Sequence, residues 1–96
     1  MKIELKKFGT TLLSRQAGRE AFAALKPSLS ELVAGEIIEV DFSDVITFSP
    51  SWGDEFLRPL LEDYDNKLIL KNTQNPSVKV TLELLEEINK IKFNLL

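Results

Sequence analysis

Twice in this chain a strong helix-capping residue stands directly before proline, at Ser49-Pro50 and at Asn75-Pro76. Proline at the first helical position forfeits no hydrogen bond, and a Ser or Asn before it accepts one from an orphan amide. Each pair therefore fixes a helix start by local chemistry alone. Ser14 marks a third start, opening a helix over about Arg15 to Leu25 with Ala17, Ala21, Phe22 and Leu25 on its apolar stripe. An apolar run lies upstream of every start. Lys2 to Phe8 alternates with a period near two, Glu36 to Phe42 is almost continuously apolar until Asp41, and Leu68-Ile69-Leu70 is a short buried run. The order predicted is β-α-β-α-β-α, an α/β domain with crossover connections and a largely parallel or mixed sheet of three to four strands.

Several details follow. Gly9-Thr10-Thr11 turns the chain, and Pro27 is expected to push Lys26 out of helical geometry, ending the first helix at about Leu25. Ser28 with Glu31 then reads as a capping box for a short segment through Val33, closed by Gly35. The Glu36–Phe42 strand is expected to be covered on both faces or nearly so. In the second helix Trp52, Phe56, Leu57, Leu60, Leu61 and Tyr64 form a wide apolar stripe, and Pro59 predicts a kink near Glu55 to Arg58. Val78, Leu82, Leu85 and Ile88 form the core stripe of the last helix, to about Asn89. Ile91, Phe93 and Leu95 either prolong it or pair as a strand.

A chain of 96 residues holds one domain, taken as residues 1–96. With 0 Cys and 0 His, thiol nucleophiles, Ser-His-Asp triads, thiolate zinc sites and imidazole acid/base chemistry are excluded, and no cofactor is expected. The expectation is a protein that is not an enzyme. No apolar run approaches the roughly 20 residues that span a bilayer, and the first residues lack the apolar stretch of a signal peptide, so a cytoplasmic location without a membrane role is expected. The net charge of −3 hides a partition: six basic and two acidic groups in residues 1–26, ten acidic and one basic in 31–65. Basic groups diluted in this way make no phosphate-binding face, so nucleic acid is not an expected partner.

In an open parallel sheet the helix starts share the edge at the carboxyl ends of the strands, where such folds bind ligands. That edge collects Thr10, Thr11, Ser14 and Arg15, then Ser43 to Asp54, then Asn72 to Asn75. Arg15 sits in a first helical turn, against the dipole, and needs an offset that Asp54 or Glu55 can supply; contact with an anion is the functional alternative. Ser51 is either a second capping serine beside Ser49 or a phosphorylation site, since a helix start tolerates added negative charge. Trp52 either packs in the core or anchors a partner. Asp41, Asp44, Asp54 and Glu55 are the acidic residues from which a magnesium site would be drawn, although the matching carboxylates after the first strand are missing.

The stretch Asp41-Phe42-Ser43-Asp44-Val45-Ile46-Thr47-Phe48-Ser49-Pro50-Ser51-Trp52-Gly53-Asp54-Glu55-Phe56 resembles the signature of the bacterial STAS-like domain family of unknown function: a strand ending Asp-Phe, a Val, then Ser-x-Ser-aromatic-x-Asp-Glu opening a helix. Ser14-Arg15 is similar to the Ser-Arg at the head of that family's first helix. The family is a shortened relative of STAS domains, which include anti-sigma-factor antagonists that dock on a serine kinase and are inactivated by phosphorylation. By position Ser51 matches the modified serine, although Ser49-Pro50-Ser51-Trp52 stands where those proteins have Asp and Gly. The resemblance implies a small non-enzymatic interaction module in regulation. Its partner would be a protein such as a histidine-kinase-like ATPase or serine kinase, docked through Arg15, Ser49, Ser51, Trp52, Asp54 and Glu55. The competing expectation is a sensor of small anionic ligands or nucleotides, with Arg15, Thr10, Ser51 and Asn72 around one pocket.

Overall fold

A computed structural model describes residues 1–96. The chain runs β1 (Lys2–Glu4), β2 (Thr11–Leu12), α1 (Arg15–Leu29), β3 (Ile38–Asp41), β4 (Thr47–Phe48), α2 (Pro50–Tyr64), β5 (Leu68–Lys71), α3 (Pro76–Asn89) and β6 (Asn94–Leu95). The α/β expectation holds: four strands pair in the order β1-β3-β5-β6, all parallel. Each crossover adds its strand on the same side of the last. Right-handed connections then place every helix on one face of the sheet, and the strands alternate accordingly. Ile3, Ile38, Val40, Leu68 and Leu70 are buried under the helices, whereas Lys2, Glu4, Glu39, Ile69 and Lys71 are exposed or half-buried.

The second face is therefore open. This corrects the expectation that the central strand is covered on both sides: Glu39 lies on the open face, paired with Lys71 at 3.7 Å. A row of mixed charges keeps that face wetted, as one side of an antiparallel sheet commonly is.

A second ladder was not legible in the sequence. β2 and β4 pair in parallel, Thr11 beside Thr47 and Leu12 beside Phe48. A turn of 3-10 helix over Leu5–Lys7 and Gly9 at φ 134° separate β1 from β2, so the single strand expected over residues 2–8 stops at Glu4. The positive φ at Gly9 is one that side-chain-bearing residues rarely adopt.

α1 runs past Pro27 to Leu29, four residues beyond the expected end at Leu25. Its buried stripe, Gly18, Ala21, Leu25 and Leu29, continues through the proline. Burying a leucine is worth about 1.5–3 kcal/mol, which offsets the bond that Pro27 removes from the last turn. No capping box forms. Ser28 is inside α1, and Ser30 ends it by donating its Oγ to the Pro27 carbonyl at 2.7 Å. α2 is likewise unbroken across Pro59. The ambiguous tail pairs as a strand, Ile69 beside Asn94 and Leu70 beside Leu95.

Aromatic rings fill the space between sheet and helices. Trp52 stacks on Phe56 with centroids 4.8 Å apart, and Phe42 meets Phe48 edge-on at 5.1 Å. Such pairs add about 0.5–1.5 kcal/mol each beyond the area they bury.

Candidate functional site

The β2–β4 ladder determines where two helices begin. Its register continues as Ser49 N–H donates to the Leu12 carbonyl at 2.9 Å and Ser49 Oγ donates to the Leu13 carbonyl. Arg15 and Ser51, each three residues past a ladder residue, therefore start neighbouring helices at one rim. α3 fixes the other flank of β4. Thr81 Oγ1 donates to the Phe48 carbonyl at 2.6 Å, while Ser77 Oγ accepts from Phe48 N–H at 3.0 Å.

The starts of α1 and α2 and the last turn of α3 enclose a groove of about 360 Å³, lined among others by Arg15, Pro50, Ser51, Asp54, Arg58 and Ile88. It shares Arg58 and Asn89 with a larger groove of about 690 Å³ between the far ends of α2 and α3. The two form one furrow along α2. Within it the serines have different duties: Ser49 Oγ caps α2 by accepting from Trp52 N–H at 3.2 Å, and Ser51, one position into the helix, is half-buried and faces the furrow.

Arg15 is offset by carboxylates, as the dipole argument requires. Its Nη1 donates to Asp54 Oδ2 and Glu55 Oε1, both at 2.9 Å. Arg58, one turn along from Asp54, donates to Asp54 Oδ1 at 3.0 Å and to Glu62 Oε1 at 2.8 Å, and Arg19 stands 3.7 Å from Glu55. The Arg15 hydrogen bond holds the Glu55 carboxyl below its ordinary pKa. For Asp54 partial burial pushes upward, but the hydrogen bonds from Arg15 and Arg58 outweigh it and the net shift is down. Both carboxylates raise Arg15 in return. The arrangement is an ionic strap across the mouth of the α1–α2 contact.

This chemistry leaves little for an anion. Pro50 has no N–H, Trp52 N–H is capped, and Gly53 N–H bonds the Ser49 carbonyl at 3.0 Å, so Ser51 alone keeps an uncommitted amide at the start of α2. The four residues expected around an anionic pocket do not meet there. Neither Thr10 nor Asn72 lines the groove; Asn72 instead donates to Asp41 Oδ1 at 2.8 Å and Ser43 Oγ at 2.9 Å. Those contacts dominate Asp41: the Asn72 bond, assisted by Ser43 and opposed by burial, brings its pKa down to about 2. Asp44 points to Lys6 at 3.3 Å. The acidic residues considered for magnesium are thus divided among three partners: Asn72 for Asp41, Lys6 for Asp44, and Arg15 for both Asp54 and Glu55.

Trp52 requires a correction. Only 2% of it is exposed, so its indole belongs to the core and offers a partner nothing. Ile88, assigned by its spacing to the core stripe, is 64% exposed, and with Val80 and Leu84 it forms a second apolar row along α3. Spacing did contain that signal, because 78-82-85 and 80-84-88 are separate rows on a helix.

One comparison identifies the class. The family described as a STAS-like domain of unknown function matches residues 17–78. The chain belongs to that family. No curated protein and no solved structure matches it. No helix is long and apolar enough to cross a membrane.

Proposed function

We propose that the domain is a non-enzymatic protein-interaction module of regulation in the cytoplasm. It docks a protein partner, of the histidine-kinase-like ATPase or serine-kinase kind, on the rim formed by Arg15, Ser49, Ser51, Asp54 and Glu55. One observation carries this reading: Ser49 does the capping, so the Ser51 hydroxyl faces an open furrow beside a strapped arginine. Ser51 is the point at which the contact is switched. A phosphoryl group brings about −1.5 to −2 charges, one helical turn from Asp54 and Glu55, and competes with both for Arg15.

The test is affinity purification from the native host with wild-type, Ser51→Glu and Arg15→Glu chains. A partner recovered in equal amounts with the wild type and depleted by both variants supports the reading. Undiminished recovery by the two variants overturns it, as does a Ser51 that stays unmodified when the purified chain and its captured partner are incubated with ATP.

A further inference from the structure

The outer surfaces of the three helices differ. α1 presents Gln16, Arg19, Glu20 and Ala23 to solvent and α2 presents Glu62 and Asp63, as amphipathic helices do. α3 instead exposes Val80 (65%), Leu84 (38%) and Ile88 (64%), three aliphatic side chains in one row spanning about 12 Å of helix. At 100° per residue Glu87 and Glu83 lie about 60° and 100° round from Leu84 on one shoulder, and the other shoulder turns into α2. Both glutamates are exposed, and neither takes part in any ion pair of the chain. Every acidic residue around the Ser51 groove, by contrast, is matched by arginine.

We propose that the Val80-Leu84-Ile88 row is the seat for an amphipathic helix of the partner protein, one with an apolar stripe flanked on one side by lysine or arginine that meets Glu83 and Glu87. The inference rests on the interaction-module reading and names the chemistry of its partner. Charge decides between occupants. In a two-fold antiparallel pairing of α3 with a second copy, each shoulder meets its own counterpart, so Glu83 and Glu87 would oppose themselves. An anionic membrane surface would be repelled by the same pair. A helix with a basic flank gains from both carboxylates while its apolar side chains cover the row. Ile88 also lines the Ser51 groove, so a helix seated here ends beside the proposed switch.

The test uses two synthetic helical peptides with the same leucine stripe, one flanked by lysine and one by glutamate, titrated against the whole chain by fluorescence anisotropy. The lysine peptide should bind, and Leu84→Glu and Val80→Glu should each weaken it about tenfold or more. Reversing both Glu83 and Glu87 to Lys should weaken it about tenfold and admit the glutamate peptide, whereas Glu20→Lys with Asp63→Lys, the same change in net charge, should not. Absence of binding, indifference to Leu84→Glu, or equal effects of the two charge reversals overturns the proposal. So does sedimentation showing a dimer that Leu84→Glu dissociates. All these variants leave Arg15 and Ser51 intact, so the fate of the Ser51 rim is read independently.

Discussion

α2 has two seams, and they are built for different purposes. Against α1 the contact is closed: a Cβ on Gly18 would come within 2.6 Å of the Trp52 carbonyl oxygen, and Arg15 straps the mouth to Asp54 and Glu55. Against α3 the buried side of the helix packs, but the outer edge is left as a furrow with Ser51 at its head and Ile88 on its wall. The same helix therefore contributes Trp52 to the core and, one residue earlier, a hydroxyl to the surface. A docking rim is precise only when the element carrying it is held rigidly, and the closed seam supplies that rigidity to the open one.

The largest expected effect breaks the closed seam from within. Trp52→Ala should lose about 3–5 kcal/mol in urea unfolding, the range for truncating a large buried aromatic. A loss near zero would return Trp52 to the surface and abolish the distinction. Gly18→Ala sharpens it next. In an exposed helix that change gains about 1 kcal/mol, whereas here the methyl meets main chain and the expected result is a loss of about 1–3 kcal/mol. Thermal unfolding decides the sign.

Acid probes the loop rim beneath neither seam. The Asp41 carboxylate, bonded by Asn72 and Ser43, has a folded pKa of about 2, below the value of 3.8 taken for the unfolded chain. A depressed carboxyl contributes stability that is fully present above the unfolded value and lost as pH falls toward the folded one. The wild type should therefore lose about 1–2 kcal/mol between pH 4 and 2 through this group, and Asp41→Asn should flatten that part of the curve. Equal acid sensitivity of the two chains would show Asp41 to be uncoupled from folding. Arg15→Ala should have a smaller effect on stability, diminishing further as salt is added, because the guanidinium is solvated and such pairs are screened. Ile88→Ser on the open seam should stay within about 0.5 kcal/mol of wild type.

What the sequence disclosed followed from how local the chemistry was. Ser14, Ser49-Pro50 and Asn75-Pro76 cap the helices they announce, each accepting from the amide three residues on, because capping is decided within one turn. The Arg15 pairing was legible as well, since a cation misplaced on a dipole needs a nearby anion. Where tertiary contact decides, legibility failed. The burial of Leu29 carries α1 through Pro27, and Thr11–Leu12 becomes a strand only because Thr47–Phe48 lies beside it. An apolar stripe states that a side chain avoids water, not which neighbour covers it, so the stripe left Trp52 open between core and partner and placed Ile88, 64% exposed, in the core.

Hydrogen exchange of the domain with and without its captured partner tests the docking rim most directly. Amides of residues 51–58 and 84–90 should slow on binding, while those of 2–4, 38–41 and 68–71 beneath the charged open face of the sheet should not change. Protection confined to the sheet, with the furrow unaffected, would place the partner on the opposite side of the molecule and contradict the account.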